Sequence, residues 1–180
     1  MKKLLLIATV FVGSMFTSVA QKFAYVDTDY ILENIPEYTT AQETLNTMSV
    51  DWQKEIEGKF TEIDKLYKAF QADAVLLPED MKKKRRDEIE KKEKEAKDLQ
   101  KQRFGKDGDL AKKRQELVKP IQDKIYNAVE EYATDKALDI IFDKSSSGVT
   151  MLFANVKYDK SDEILQKLGY KPGAVKPKDK

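Results

Sequence analysis

The chain has neither cysteine nor histidine among its 180 residues. That removes disulfide frameworks, thiolate chemistry, lipid attachment through an N-terminal cysteine, and imidazole ligands for a metal. The common nucleophile–base pairs are lost with them. Carboxylates are plentiful, but they alternate with lysines, and no two stand out as an acid–base pair. Neither catalysis nor a cofactor is expected. Apolar runs approaching the ~20 residues of a membrane span are also lacking. The one long apolar stretch, Leu4–Phe16, follows Lys2 and Lys3 and precedes Ser18-Val19-Ala20. Residues 1–20 therefore read as an export signal cleaved near Ala20, which predicts a periplasmic destination. Nor does one sign of charge dominate. Without Lys2 and Lys3, 31 basic residues face 32 acidic ones. A protein that coats phosphates should be far more basic, so nucleic acid is not an expected partner.

What is abundant is charge of both signs, at 36% of residues. From Lys82 to Arg103 only Ile89, Ala96 and Leu99 are apolar. The acid-before-base pairs Asp87–Lys91, Glu88–Lys92, Glu90–Lys94 and Glu93–Lys97, each four residues apart, mark this stretch as a solvated helix. Upstream, Tyr38, Ala41, Leu45, Met48, Trp52, Ile56, Phe60, Ile63, Tyr67, Phe70, Ala74 and Leu77 recur in steps of three or four. That spacing predicts one amphipathic helix of about 40 residues. Pro78 ends it, and a second helix is expected from Glu79 to about Ala133. Two long helices joined by a few residues fold back as an antiparallel hairpin.

Pro36 and Pro120 lie equally far from Pro78 and should sit at one level, where the hairpin leaves a separate body. Residues 37–119 would then form an arm about 60 Å long. The same register sets Gly105 and Gly108 opposite Trp52 and Met48. Two glycines in a helix cost roughly 1–2 kcal/mol relative to alanine. They either make room for the indole or mark a hinge, and a kink is expected.

Outside the arm the period changes to two. Phe23 and Tyr25 share one face of a strand; Leu138, Ile140 and Phe142 share one face of another, with Ile141 on the opposite side. Val149, Met151 and Phe153 suggest a third strand, joined to the second as a hairpin through Ser145–Gly148. A short helix follows, capped by Ser161, burying Ile164, Leu165 and Leu168 and ending at Gly169. Residues 21–36 and 120–170 would form this body, with 171–180 a disordered tail. So few strands make a marginal core with open edges, which predicts several copies sharing one sheet or barrel. The fold class expected is α+β, mostly α: a long helical hairpin on a small β body.

The order of these segments resembles the Skp/OmpH family of periplasmic chaperones. "KFAYVDTDYILENIPEY" is similar to that family's opening strand, short helix and departure into a long helix. "RQELVKPIQDKIYNAVEEYATDKALDIIFDKSSSGVTMLFANVKYDKSDEILQKL" is similar to its returning helix, strands and terminal helix. The resemblance covers nearly all of the chain after residue 20. It implies a homotrimer whose helical arms surround a cavity, where unfolded outer-membrane proteins are held without ATP. The best-known member is strongly basic and is thought to attract lipopolysaccharide. The near-neutral charge here departs from that, and the interaction is not carried over.

Candidate residues follow from both readings. The charged returning helix leaves aromatic residues of the first helix incompletely covered. Phe60, Tyr67, Phe70, Met81 and Phe104 are therefore candidates for client contact, against the alternative that they simply pack. Lys82, Lys83, Lys84, Arg85 and Arg86 form a basic run near the hairpin tip, suited to acidic client segments or weak membrane-surface contact, or merely a solvated face. Phe23, Tyr25, Ile140, Phe142, Val149, Met151 and Phe153 are expected in the body core and oligomer interface. Two competing functions remain open: a structural or adaptor coiled coil of the envelope, and a surface binder acting through Lys82–Arg86.

Overall fold

A computed structural model describes residues 21–146, 148 and 151–173. Strand β1 (Phe23–Val26) leads into the short helix α1 (Thr28–Glu33), whose start is capped by the Asp27 carboxylate accepting from the Tyr30 N–H at 3.0 Å. Helix α2 (Pro36–Asp73) follows, with Pro36 in its first turn, where the missing N–H costs nothing. After a turn at 74–77, Pro78 serves as N-cap of α3 (Glu79–Phe104). Glu79 and Asp80 sit in the first turn of α3, where negative charge suits the helix dipole. The return is completed by α4 (Asp109–Lys136), followed by β2 (Ile140–Asp143), a 3-10 turn (Val156–Tyr158) and α5 (Ser161–Lys167).

The hairpin therefore forms, but its return is two helices rather than one. They are separated by a turn, closed by the Gly108 N–H donating to the Gly105 carbonyl at 2.9 Å, with the backbone extended at the two glycines themselves. The glycines are required by close approach: a Cβ on Gly105 would lie 2.4 Å from the Lys101 carbonyl oxygen, and one on Gly108 would lie 2.6 Å from that of Gln102. The kink expected from sequence is in fact a full break. Pro120, by contrast, neither ends nor interrupts the helix assignment of α4.

Cross-links between the helices set the register. Arg85 pairs with Asp73 at 2.9 Å, Lys92 with Glu62 at 2.9 Å, and Phe104 meets Trp52 edge to face at 6.3 Å. Each pair is nearly equidistant from Pro78 in sequence. Of the four acid–base pairs read from α3, only Glu93–Lys97 closes as an ion pair, at 3.5 Å. Lys92 reaches across to Glu62 instead, and this partner holds the Glu62 carboxyl below the usual carboxylate range.

The main core joins segments from opposite ends of the chain. Val26, Tyr30, Ile31, Leu32 and Ile35 pack against Ile121, Ile125 and Ala128 of α4 and Ile164 and Leu165 of α5. Ile31, Ile164 and Leu165 are fully buried, each contributing about 2 kcal/mol of transfer free energy. Tyr38 packs on this core and also on the first arm cluster, Ala41, Leu45 and Val118. A further cluster, Ile63, Ile89 and Ala96, lies farther out.

Two features of the body correct the sequence expectation. First, β2 pairs in parallel with β1, Phe23 opposite Ile140 and Tyr25 opposite Phe142. Met151–Ala154 forms no strand, and Val149 lies outside the described residues. Alternation reports a surface fit for a sheet but cannot name its neighbour; the returning arm delivers β1 as the partner. Burial is inverted accordingly. Ile141 is the residue of β2 that packs on the core, while Phe23, Ile140 and Phe142 are exposed and Tyr25 is buried. Second, Ser161 is not a helix cap. Its buried hydroxyl accepts from the Asp27 N–H at 2.9 Å and donates to Asp159 at 2.6 Å, joining the end of β1 to the start of α5.

The body is closed by Tyr30, whose hydroxyl donates to Asp162 at 2.7 Å and accepts from the Gly173 N–H at 3.0 Å. Burial, then the Asp162 hydrogen bond, pushes its pKa up to about 12. A raised folded-state value means stability present below pH ~10 and lost as pH rises toward ~12. The stability difference between the wild-type chain and Tyr30→Phe should therefore shrink by on the order of 2 kcal/mol across that window. Urea melts of both proteins at stepped alkaline pH check this; a constant difference would remove the linkage.

Candidate client-binding surface

Helix α2 turns roughly 100° per residue, so Phe60 and Tyr67 lie on one stripe, about 40° round from the buried Ile56 and Ile63. They sit on the shoulder of the packed face. Phe60 is 36% exposed and Tyr67 49% exposed, because the facing part of α3 offers lysine and glutamate stems rather than apolar bulk. Met81, in the first turns of α3, is exposed as well. Phe70 is different. It is half-buried against Ile63, Ile89 and Ala96, and belongs to the packing. Phe104 is also half-buried, its ring against Trp52. The five sequence candidates thus divide into three exposed residues and two packed ones.

Sequence reasoning missed the most exposed apolar residues of the hairpin. Val75 and Leu76 stand 91% and 84% exposed in the turn between α2 and α3. The signal was there in "AVLLPED", three consecutive large apolar residues at a turn, where polar residues are the rule. It was obscured because Leu77 continued the helical spacing. Together with Met81 these residues make the tip of the hairpin apolar.

Two members of the basic run have acidic partners. Lys82 binds Glu79 at 2.7 Å, which draws the Glu79 carboxyl below its ordinary range, and Arg85 is tied to Asp73 across the hairpin. Lys83, Lys84 and Arg86 are exposed and form no ion pair within 4.0 Å among the described residues. They edge the apolar tip with positive charge.

A second apolar surface flanks the outer edge of β2. On one side Val26, Leu32, Ile125, Val129, Ile141 and Phe142 line an open cleft of about 480 Å³, with Thr28, Asp123, Tyr126 and Asp143 at its rim. On the other, Phe23, Tyr25, Phe142, Met151, Phe153 and Tyr158 border a pocket of about 290 Å³. Phe153 is 85% exposed. Phe23 and Tyr158 stack at 4.9 Å, which anchors the start of β1 to the 3-10 turn.

Within this arrangement of strand, returning hairpin, strand and terminal helix, the profile of a family described as Outer membrane protein (OmpH-like) matches residues 22–168. The chain belongs to the OmpH-like family. An uncharacterized protein of Aquifex aeolicus (strain VF5) is 32% identical over 168 residues, covering 93% of this chain and 96% of its own. The fold is similar to a crystal structure from Caulobacter crescentus CB15, described as a candidate outer membrane chaperone (OmpH-like). That match has a TM-score of 0.64, at 13% identity, covering 86% of this chain and 88% of the other. Among the described residues of this OmpH-like chain, no helix is long and apolar enough to cross a membrane.

The division of the aromatics is testable by stability. Phe70→Ser should cost about 1–2 kcal/mol, as expected for a half-buried ring, while Phe60→Ser and Tyr67→Ser should each cost less than about 0.5 kcal/mol. Denaturant melts followed by far-UV circular dichroism distinguish the two classes. Equal losses at all three sites would mean that the shoulder residues are core.

Proposed function

We propose that this OmpH-like chain is an ATP-independent periplasmic holdase chaperone for unfolded outer-membrane proteins. It is exported by residues 1–20 and assembled as a homotrimer. Residues 21–36 and 120–170 form the shared body, and each hairpin of residues 37–119 is one arm around the client cavity. Family membership and the fold shared with the Caulobacter crescentus protein support a chaperone role in general. The observation that carries the finer reading is apolar surface left open along the hairpin, at Phe60, Tyr67, Val75, Leu76 and Met81. Single exposed apolar residues are ordinary; a series along one arm is a surface for weak, repeated contact.

The physical logic suits holding without ATP. A client bound through scattered side chains on three arms gains affinity from avidity, and it leaves when a few contacts break. Flexible methionine and aromatic side chains tolerate dissimilar clients. The exposed Lys83, Lys84 and Arg86 add attraction for acidic segments at the tip. Trimer assembly would cover the apolar surfaces beside β2, including Phe23, Ile140, Phe142, Met151 and Phe153.

A urea-denatured porin diluted into buffer with the chaperone should scatter little light once about one trimer is present per client. The variant with Phe60, Tyr67, Val75 and Leu76 all changed to serine should keep its solution mass and lose most of this protection. No suppression at several-fold excess would overturn the holdase reading and favour a structural coiled coil. Suppression that vanishes in about 0.5 M salt would instead place the activity in charge.

A further inference from the structure

The break in the returning wall of the arm is spanned by a long contact from the Gln102 amide to Asp109, at 3.5 Å, and by the much shorter ion pair of Arg103. Arg103, in the last turn of α3, donates from Nη1 to the Asp109 carboxylate at 2.7 Å, and Asp109 lies in the first turn of α4. The same guanidinium reaches Glu55 of α2 at 3.7 Å and covers the face of Trp52 at 4.7 Å from the ring centroid. Its Nε is buried without a hydrogen-bond partner among the described residues. One arginine thus ties together the three helices that meet at this level.

We propose that the arm is jointed at Gly105–Gly108 and that Arg103 is the latch that holds the joint straight. Two independent observations lead there. The glycines let the wall change direction with extended backbone where any Cβ would collide, so the break is built into the sequence. Across it, the Arg103–Asp109 pair joins the end of one helix to the start of the next. Helix α2 passes the break as a continuous rod, about 24 Å from its own start at Trp52, with about 30 Å beyond. Helices bend gently without breaking, and Gly58 of α2 has nothing within 4 Å of where a Cβ would stand. Opposite an unbroken wall such bending would be resisted by the second helix. Opposite this break it is resisted chiefly by the latch. Releasing Arg103 therefore frees the distal arm to swing about the level of Trp52. This holds whether or not the arm carries clients, so it stands apart from the holdase reading.

The chain has one tryptophan, and it lies under the latch. In the full exported chain, Arg103→Gln should shift Trp52 emission to the red. It should also accelerate hydrogen exchange at amides 104–112 by about tenfold, the amount expected for loss of a partly exposed charge-assisted bond. Exchange elsewhere in α2, α3 and α4 should stay within about twofold of the wild-type rates. Asp109→Asn, which leaves the stack on Trp52 in place, should give the exchange change with a smaller emission shift. Raising salt to about 1 M should reproduce part of the effect in the wild-type chain and none in Arg103→Gln. Unchanged exchange at 104–112 in both variants would overturn the latch. A uniform rise along all three helices would do so too, since Arg103 would then support the arm as a whole.

Discussion

Everything in this molecule depends on the return of the hairpin. The main core is made of Ile31 and Ile35 from one end of the chain, and Ile121, Ile125, Ile164 and Leu165 from the other. None of these segments can bury its apolar face alone. β1 has a partner only because the arm delivers β2 alongside it, and a parallel pair requires such a long crossover. The hydrogen bonds of Ser161 and Tyr30 then seal a junction that loop closure has already brought together. The long excursion adds little to the closing cost, because that cost grows only with the logarithm of loop length.

The arm solves a different problem with different means. Its apolar contacts thin with distance from the body, from a continuous core to small clusters at Ala41, Leu45 and Val118, then at Ile63, Ile89 and Ala96. Ion pairs across the hairpin at Lys92–Glu62 and Arg85–Asp73 hold the register where packing is sparse. Exposed pairs of this kind contribute modestly. They leave the arm helical without covering its apolar shoulder at Phe60 and Tyr67.

Much of this was legible from residue spacing. The three-and-four recurrence from Tyr38 to Leu77 specified α2 but overran its end at Asp73 by four residues, and Pro78 located the turn. The near-equal distances of cross-linked pairs from Pro78 follow from helix geometry alone. Side-chain exposure was less legible. Phe60, Tyr67 and Phe70 look alike in sequence, yet Phe70 packs on Ile63 and Ile89 while the others stand on the shoulder. An azimuth of roughly 60–80° round the helix separates the two fates, and both positions fall within one broad apolar stripe. Val75 and Leu76 escaped notice because a helical stripe was read through the turn.

The sequence by itself determined the helical hairpin and its turn at Pro78, and it marked Gly105 and Gly108 as a weak point, since these depend on neighbours within a few residues along the chain. That the weak point is a full break came from the structure. The sequence also limited the chemistry, because a chain without cysteine or histidine has few reactive groups to offer. Only the tertiary structure decided which strand pairs with which, that Ile141 rather than Ile140 faces the core, and that Ser161 links two elements instead of capping one. It alone placed Arg103 on Trp52 and Asp109. The physical reason is the same in each case. These contacts join residues of different elements, and periodicity within one element carries no information about what lies across the gap to the next.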